Sequence, residues 1–139
     1  MRPNSELLAR CNVITETIIG AAIDVHRELG PGLLESAYES CLAHELGLRG
    51  LDFVRQAAVP VAYKGQSLDC GYRIDLLVGG LVVVELKSID KTAAIHEAQL
   101  LTYLRLANKP VGLLINFNVQ QLTNGITRRI NNISSPCSP

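Results

Sequence analysis

The sequence predicts a single α/β domain, a small mixed sheet flanked by helices in the order ααβββαββ. Three observations carry that prediction. At 139 residues the chain has room for one hydrophobic core. Its hydrophobic content of 47% against 19% charged residues is that of a globular protein rather than a disordered chain. Its apolar pattern also changes along the chain, from helical steps to strand-like runs and back, as expected where helices and strands are interleaved.

The first helix is predicted over Val13 to Leu29, where Val13, Ile14, Ile18, Ala21, Ala22, Val25 and Leu29 recur at three- and four-residue steps. It stops at Gly30-Pro31-Gly32, because proline withholds a donor and glycine admits left-handed backbone angles. A second helix follows from about Leu33 to Leu46, with Leu34, Ala37, Tyr38, Cys41, Leu42 and Leu46 as its buried face and Gly47 as its stop. Strand signals begin after Gly50: Phe53 to Tyr63, a Lys64-Gly65-Gln66-Ser67 turn, then Leu68 to Val78 and Leu81 to Ser88. A third helix, about Lys91 to Ala107, ends at Asn108 and Pro110, and Val111 to Phe117 and Ile126 to Ile130 read as two further strands. The folded domain is thus expected over residues 13–131, with residues 1–12 and 132–139 as tails.

Thirteen Lys and Arg balance thirteen Asp and Glu, so any affinity for nucleic acid must come from a local patch rather than bulk charge. Cys11, Cys41, Cys70 and Cys137 form no CxxC pair, which speaks against zinc and iron–sulfur centres and for reduced thiols in a cytoplasmic protein. The N-terminus lacks an apolar secretory core, and the longest apolar run, Ile18 to Ile23, ends at Asp24. It falls far short of the roughly 20 residues of a membrane span, so neither export nor a membrane is expected.

Charge inside the predicted sheet is the signal for chemistry. Glu85 and Lys87 project from one face of Leu81-Val82-Val83-Val84-Glu85-Leu86-Lys87, and the preceding strand carries Asp75 in an apolar context. A two-residue Gly79-Gly80 turn would oppose Asp75 to Val84 and turn it away from Glu85. A three-residue connection, or one bulge, opposes Asp75 to Glu85 and brings both to one face. The shared site therefore predicts an odd-length loop or a bulge. Two carboxylates on one face suit magnesium, which takes oxygen ligands and keeps several waters. Lys87 would orient or deprotonate an attacking water, or stabilise charge on a phosphate. A Glu-x-Lys tripeptide alone is far more often a solvated strand end or a local ion pair, and it is Asp75 in the preceding strand that raises the catalytic reading. On the third helix, His96, Gln99 and Tyr103 share one face. Glu35 and Tyr38 on the second helix offer a third carboxylate and an aromatic wall, against helix-start charge stabilisation and core packing as their ordinary roles.

Gly32-Leu33-Leu34-Glu35-Ser36-Ala37-Tyr38 matches a GxxExxY pattern, Asp75 with Glu85-Leu86-Lys87 matches a D…ExK core, and Gln99-Leu100-Leu101-Thr102-Tyr103 matches QxxxY. In these motifs and their order the chain resembles the GxxExxY family of the PD-(D/E)XK nuclease superfamily over roughly residues 13–131. Ile74 stands where the superfamily pattern has proline. The resemblance implies a restriction-endonuclease-like fold and an Mg²⁺- or Mn²⁺-dependent deoxyribonuclease. It implies that Asp75, Glu85 and the Leu86 carbonyl hold the metal with help from Glu35. Lys87 would act on the water, and Gln99 and Tyr103, with His96 and Tyr38, would contact the substrate strand or brace the site. The implied partner is DNA, whether single-stranded, branched or duplex. The alternatives are a catalytically silent nucleic-acid-binding or regulatory module and a protein-interaction scaffold. A domain this small can also work as a homodimer engaging two strands, though no sequence feature specifies an interface. Arg27, Lys64, Arg73, Lys91, Arg105, Arg128 and Arg129 are candidate phosphate contacts, though most also read as ordinary solvated charges, and Arg128-Arg129 on an edge strand reads rather as protection against unwanted strand pairing. Two Phe and four Tyr leave room for one or two stacking contacts but not for a long base-stacking platform.

Overall fold

The structure, a computed structural model, describes residues 3–132. Helix α1 spans Ser5–Leu29 and so starts well before Val13. The Asn4 Oδ1 accepts from the Leu7 N–H at 2.8 Å, satisfying one of the donors that a helix start leaves free. Leu7 and Leu8 pack on the core and Cys11 is fully buried. Residues 5–12 therefore belong to the domain and not to a tail. Residues 133–139, most of the expected C-terminal tail, lie outside the described residues.

Helix α2 spans Glu35–Leu48, running through Gly47. It ends where Gly50 takes a φ of 76° and the Leu51 N–H returns to the Leu46 carbonyl at 3.1 Å. Its buried residues are Tyr38, Glu39, Leu42, Ala43 and Leu46; Leu34 and Cys41, expected inside, are exposed. The three strands expected next are five: β1 (Phe53–Ala58), β2 (Val61–Tyr63), β3 (Gln66–Leu68), β4 (Arg73–Val78) and β5 (Val82–Lys87). The run from Leu68 to Val78 breaks because the Asp69 Oδ1 accepts from the Gly71 N–H at 2.9 Å, with Gly71 at φ 83°, an Asx turn. Helix α3 (Ala94–Ala107), β6 (Val111–Asn116), a short 3-10 turn (Leu122–Gly125) and β7 (Ile126–Ile130) complete the order.

The main sheet has the order β1-β4-β5-β6-β7, and β2-β3 is a separate hairpin. Only the β5–β6 pair is parallel, joined through α3; the other pairs in the main sheet are antiparallel. Helices α1 and α2 bury one face of the sheet against Leu76, Val78, Val84, Leu86, Leu113 and Phe117. Helix α3 covers the other through Leu100, Tyr103 and Leu104 against Ile74, Val83 and Leu114. Gly112 permits this close approach, since a Cβ there would stand 2.8 Å from the Leu100 Cδ1. The result is the predicted mixed sheet between helices, and it fits the PD-(D/E)XK fold.

Candidate active site

The β4–β5 connection places the carboxylates. Val78 pairs with Val82, Leu77 with Val83 and Leu76 with Val84, so the loop is residues 79–81, three residues long. Gly79 and Gly80 have φ of 61° and 68°, the Leu81 N–H closes the turn on the Val78 carbonyl at 3.1 Å, and Leu81 is the added residue. Continued, this register sets Asp75 against Glu85, as the charge pattern requires. The paired ladder stops at Leu76 and Val84, and the carboxylates take over the next amides. The Asp75 N–H donates to the Glu85 Oε2 at 2.9 Å, and the Leu86 N–H donates to the Asp75 Oδ2 at 2.8 Å. Two acidic side chains thus bridge the strands where backbone pairing ends.

Strand β1 shapes the other side. Its pairing with β4 keeps one register from Phe53 and Val78 to Ala58 and Arg73, omitting Gln56 and Asp75. Phe53 and Leu76 belong to the α1–α2 core, whereas Ala57 and Ile74 belong to the α3 core. Both strands therefore change faces at that pair, and Gln56 absorbs the change with a φ of 52°, a backbone region costly for a residue with a side chain. Its Nε2 donates to the Glu39 Oε1 at 2.6 Å and the Asp75 Oδ1 at 3.3 Å. The Arg55 Nε holds the other Glu39 oxygen at 3.0 Å. Gln56, Glu39 and Arg55 brace Asp75, and sequence reasoning missed all three. Glu39 occupies a helix position that resembles a solvated one, and a left-handed glutamine inside a strand has no sequence signature.

Electrostatically the pair is strained. Burial first, and the neighbouring Asp75 carboxylate second, push Glu85 up to about 8, with the Lys87 charge opposing. Burial also raises Asp75, against the Leu86 N–H that favours its charged form. Glu35 adds negative charge at both, and its Oε2 accepts from the Ser88 N–H at 3.4 Å. Negative charge crowded into a half-buried place is a setting that a cation relieves. The donors fit a hard cation: two carboxylates with lone pairs to spare and no sulfur among them. Among the described residues no three His, Cys, Asp or Glu side chains group closely enough to hold an ion; the residues that could contribute to holding one here are Asp75 and Glu85, with Glu35 farther off.

A family model described as the PD-(D/E)XK nuclease superfamily matches residues 12–129. The chain belongs to that superfamily. No curated protein and no solved structure matches it.

Within this PD-(D/E)XK domain the other residues singled out in the sequence separate into three sets. Lys87, half-buried, lies two positions beyond Glu85 on β5 and its charge acts on that carboxylate. Tyr103 of α3 lies within reach of the pair's field, the charges of Glu85 and Asp75 adding to burial in raising it, and the Gln99 Nε2 donates to its hydroxyl at 3.3 Å. Tyr38 does not join them. Tyr38 is fully buried, stacked on Phe117 with centroids 4.4 Å apart. Its hydroxyl donates to the Gly30 carbonyl at 2.5 Å and accepts from the Leu33 N–H at 3.2 Å, so it pins the α1–α2 loop and offers nothing to a substrate. His96 accepts from the Ala93 N–H through Nδ1 at 2.8 Å, tying its ring to the start of α3.

The basic residues of β7 are also engaged in the scaffold, Arg129 with Glu97 and Arg128 with the Asn12 side chain. A cavity of about 640 Å³ between α1 and α2, reached by Asp24, Glu28, Cys41 and His44, shares no residue with the carboxylate site. No helix among the described residues is long and apolar enough to cross a membrane.

Proposed function

We propose that this PD-(D/E)XK domain is a nuclease that hydrolyses DNA phosphodiester bonds with Mg²⁺ or Mn²⁺, and that it is of the GxxExxY group, whose pattern Gly32, Glu35 and Tyr38 carry. The observation that carries this reading is the pair of half-buried Asp75 and buried Glu85, cross-bonded through the two strands' amides, with Lys87 at the next position on the same side of β5. Asp75 and Glu85 would hold the cation. The Leu86 carbonyl is a further donor, because in a strand it points the same way as the Leu86 N–H that meets Asp75. Glu35 would act from farther away, through water. When bound, such a cation supplies positive charge to the phosphodiester oxygens and makes water easier to deprotonate.

The chain's own residues do the rest. Glu85, pushed up to about 8, would release its proton to solvent if a cation took its place between the carboxylates. Lys87 orients the attacking water and stabilises charge growing on the phosphate. Gln99 and Tyr103 hold the substrate strand over the pair. Gln56 keeps Asp75 aimed across the gap between β4 and β5. Cys11, Cys41 and Cys70 form no disulfide among the described residues.

The test is incubation of the purified protein with single-stranded, duplex and branched DNA, with Mg²⁺, with Mn²⁺ and with chelator. Metal-dependent cleavage that disappears in Glu85→Ala is expected. Cleavage of none of the substrates, or equal cleavage by that variant, overturns the reading. Salt-sensitive DNA binding that needs no metal and survives Lys87→Ala, without cleavage, would identify a silent binding module instead.

A further inference from the structure

The chain has four tyrosines, two phenylalanines and no tryptophan. Tyr38 and Phe117 are stacked inside the core, Phe53 is packed against it, and Tyr103 is 6% exposed. The exposed rings are Tyr63 at 60% and Tyr72 at 46%. Both lie between β1 and β4, in the stretch that holds the β2–β3 hairpin. That stretch leaves the sheet where Ala58 pairs with Arg73, two residues from Asp75. The chain thus concentrates its exposed aromatic surface at the end of the sheet that carries the carboxylates.

Tyr72 is held there by its backbone and by one edge of its ring. Its carbonyl accepts from the Val59 N–H at 3.0 Å and the Arg73 Nη1 at 2.9 Å. The ring lies 6.0 Å from that of Tyr103, tilted by 59°, and Tyr103 in turn feels the charges of Glu85 and Asp75. Its hydroxyl has no hydrogen-bond partner among the described residues, so the surface offers the ring together with a free hydroxyl. A cation adjoins it: Arg73 is the next residue, bridged to Asp69 at 3.4 Å with its side chain 38% exposed.

A fixed, exposed aromatic ring beside cations is how proteins hold unpaired nucleotides, because every base has a face to stack while the phosphates need only positive charge. A base inside a duplex is already stacked on both sides. We propose that Tyr72 stacks an unpaired nucleobase beside the Asp75–Glu85 pair, and that Arg73 contacts the adjoining phosphate, so that the substrate is single-stranded DNA or an unpaired end. This deepens the nuclease reading and rests on it for the position of the scissile bond.

The experiment is fluorescence anisotropy of a labelled short oligothymidylate, with chelator present so that no cleavage intervenes. Tyr72→Ala is expected to weaken binding about ten-fold, while Tyr72→Phe and Tyr72→Trp retain it. On an abasic strand of the same length, Tyr72→Ala should have no effect. Equal affinity of wild type and Tyr72→Ala overturns the proposal, as does an equal loss on the abasic strand or a loss in Tyr72→Phe as large as in Tyr72→Ala. A wild type that binds no oligothymidylate overturns it as well. Cleavage with Mn²⁺ is read separately. Protein that binds through Tyr72 but cuts nothing defeats the nuclease reading and leaves the stacking in place. Protein that cuts, with binding indifferent to Tyr72→Ala, defeats only the stacking.

Discussion

Replacing Glu85 with glutamine should make the metal-free protein more stable at neutral and alkaline pH, even though it removes a residue from the centre of the site. Glu85 is 6% exposed, and burial beside Asp75 raises it from 4.5 to about 8. A carboxyl raised in the folded state binds its proton more tightly there than in the unfolded chain. Its contribution is therefore fully present below about pH 4.5 and is lost as pH rises toward about 8. At about 1.4 kcal/mol per pH unit across that window, the loss is a few kcal/mol, with about 5 as its ceiling. Glutamine keeps the carbonyl that accepts from the Asp75 N–H and carries no charge to desolvate. Urea unfolding with chelator, from pH 5 to 9, is the assay. The wild type should fall steeply in stability relative to Glu85→Gln as pH rises, the two curves diverging by a few kcal/mol. Added Mn²⁺ should restore the wild type alone. Parallel curves, or a variant less stable than wild type at every pH, would refute the picture of Glu85 as a charge held at a cost.

Three further outcomes are expected. Lys87→Ala should lower the DNA cleavage rate about a hundredfold or more while Mn²⁺ affinity stays the same or tightens; a parallel loss of affinity would mean that Lys87 supports the site rather than the reaction. Gln56→Glu should place a third carboxylate between Glu39 and Asp75, destabilising the fold at neutral pH by about 2 kcal/mol or more, with recovery on acidification; pH-independent stability in denaturant titrations would contradict this. Tyr38→Phe should cost about 1 kcal/mol of stability, from the unmade bonds to Gly30 and Leu33, with DNA affinity unchanged. A loss of DNA affinity at unchanged stability would instead make Tyr38 a substrate contact.

The legible parts of the fold were those with a local physical signature. Apolar spacing located all three helices, and Gly30-Pro31-Gly32 located the break between the first two. The odd-length Gly79–Leu81 loop followed from the demand that Asp75 and Glu85 meet. Other features depend on partners distant in sequence. The start of α1 hides in polar text because only Leu7, Leu8 and Cys11 touch the core. Tyr38 fits a site motif as well as a core position, and its stacking on Phe117, far along the chain, decides between them. The brace on Asp75 was illegible, because Gln56 works through a left-handed backbone and a buried Glu39 that only the assembled α2 and β1 create.

The grip of Asp75 and Glu85 on a divalent cation is tested most directly by calorimetric titration of the wild type and Asp75→Asn with Mn²⁺ in the absence of DNA. One ion per chain is expected for the wild type, with affinity rising roughly ten-fold per pH unit below about pH 8 as the Glu85 proton is displaced, and little or no heat of binding for Asp75→Asn. No binding to the wild type, or binding equally strong in the variant, would contradict the account.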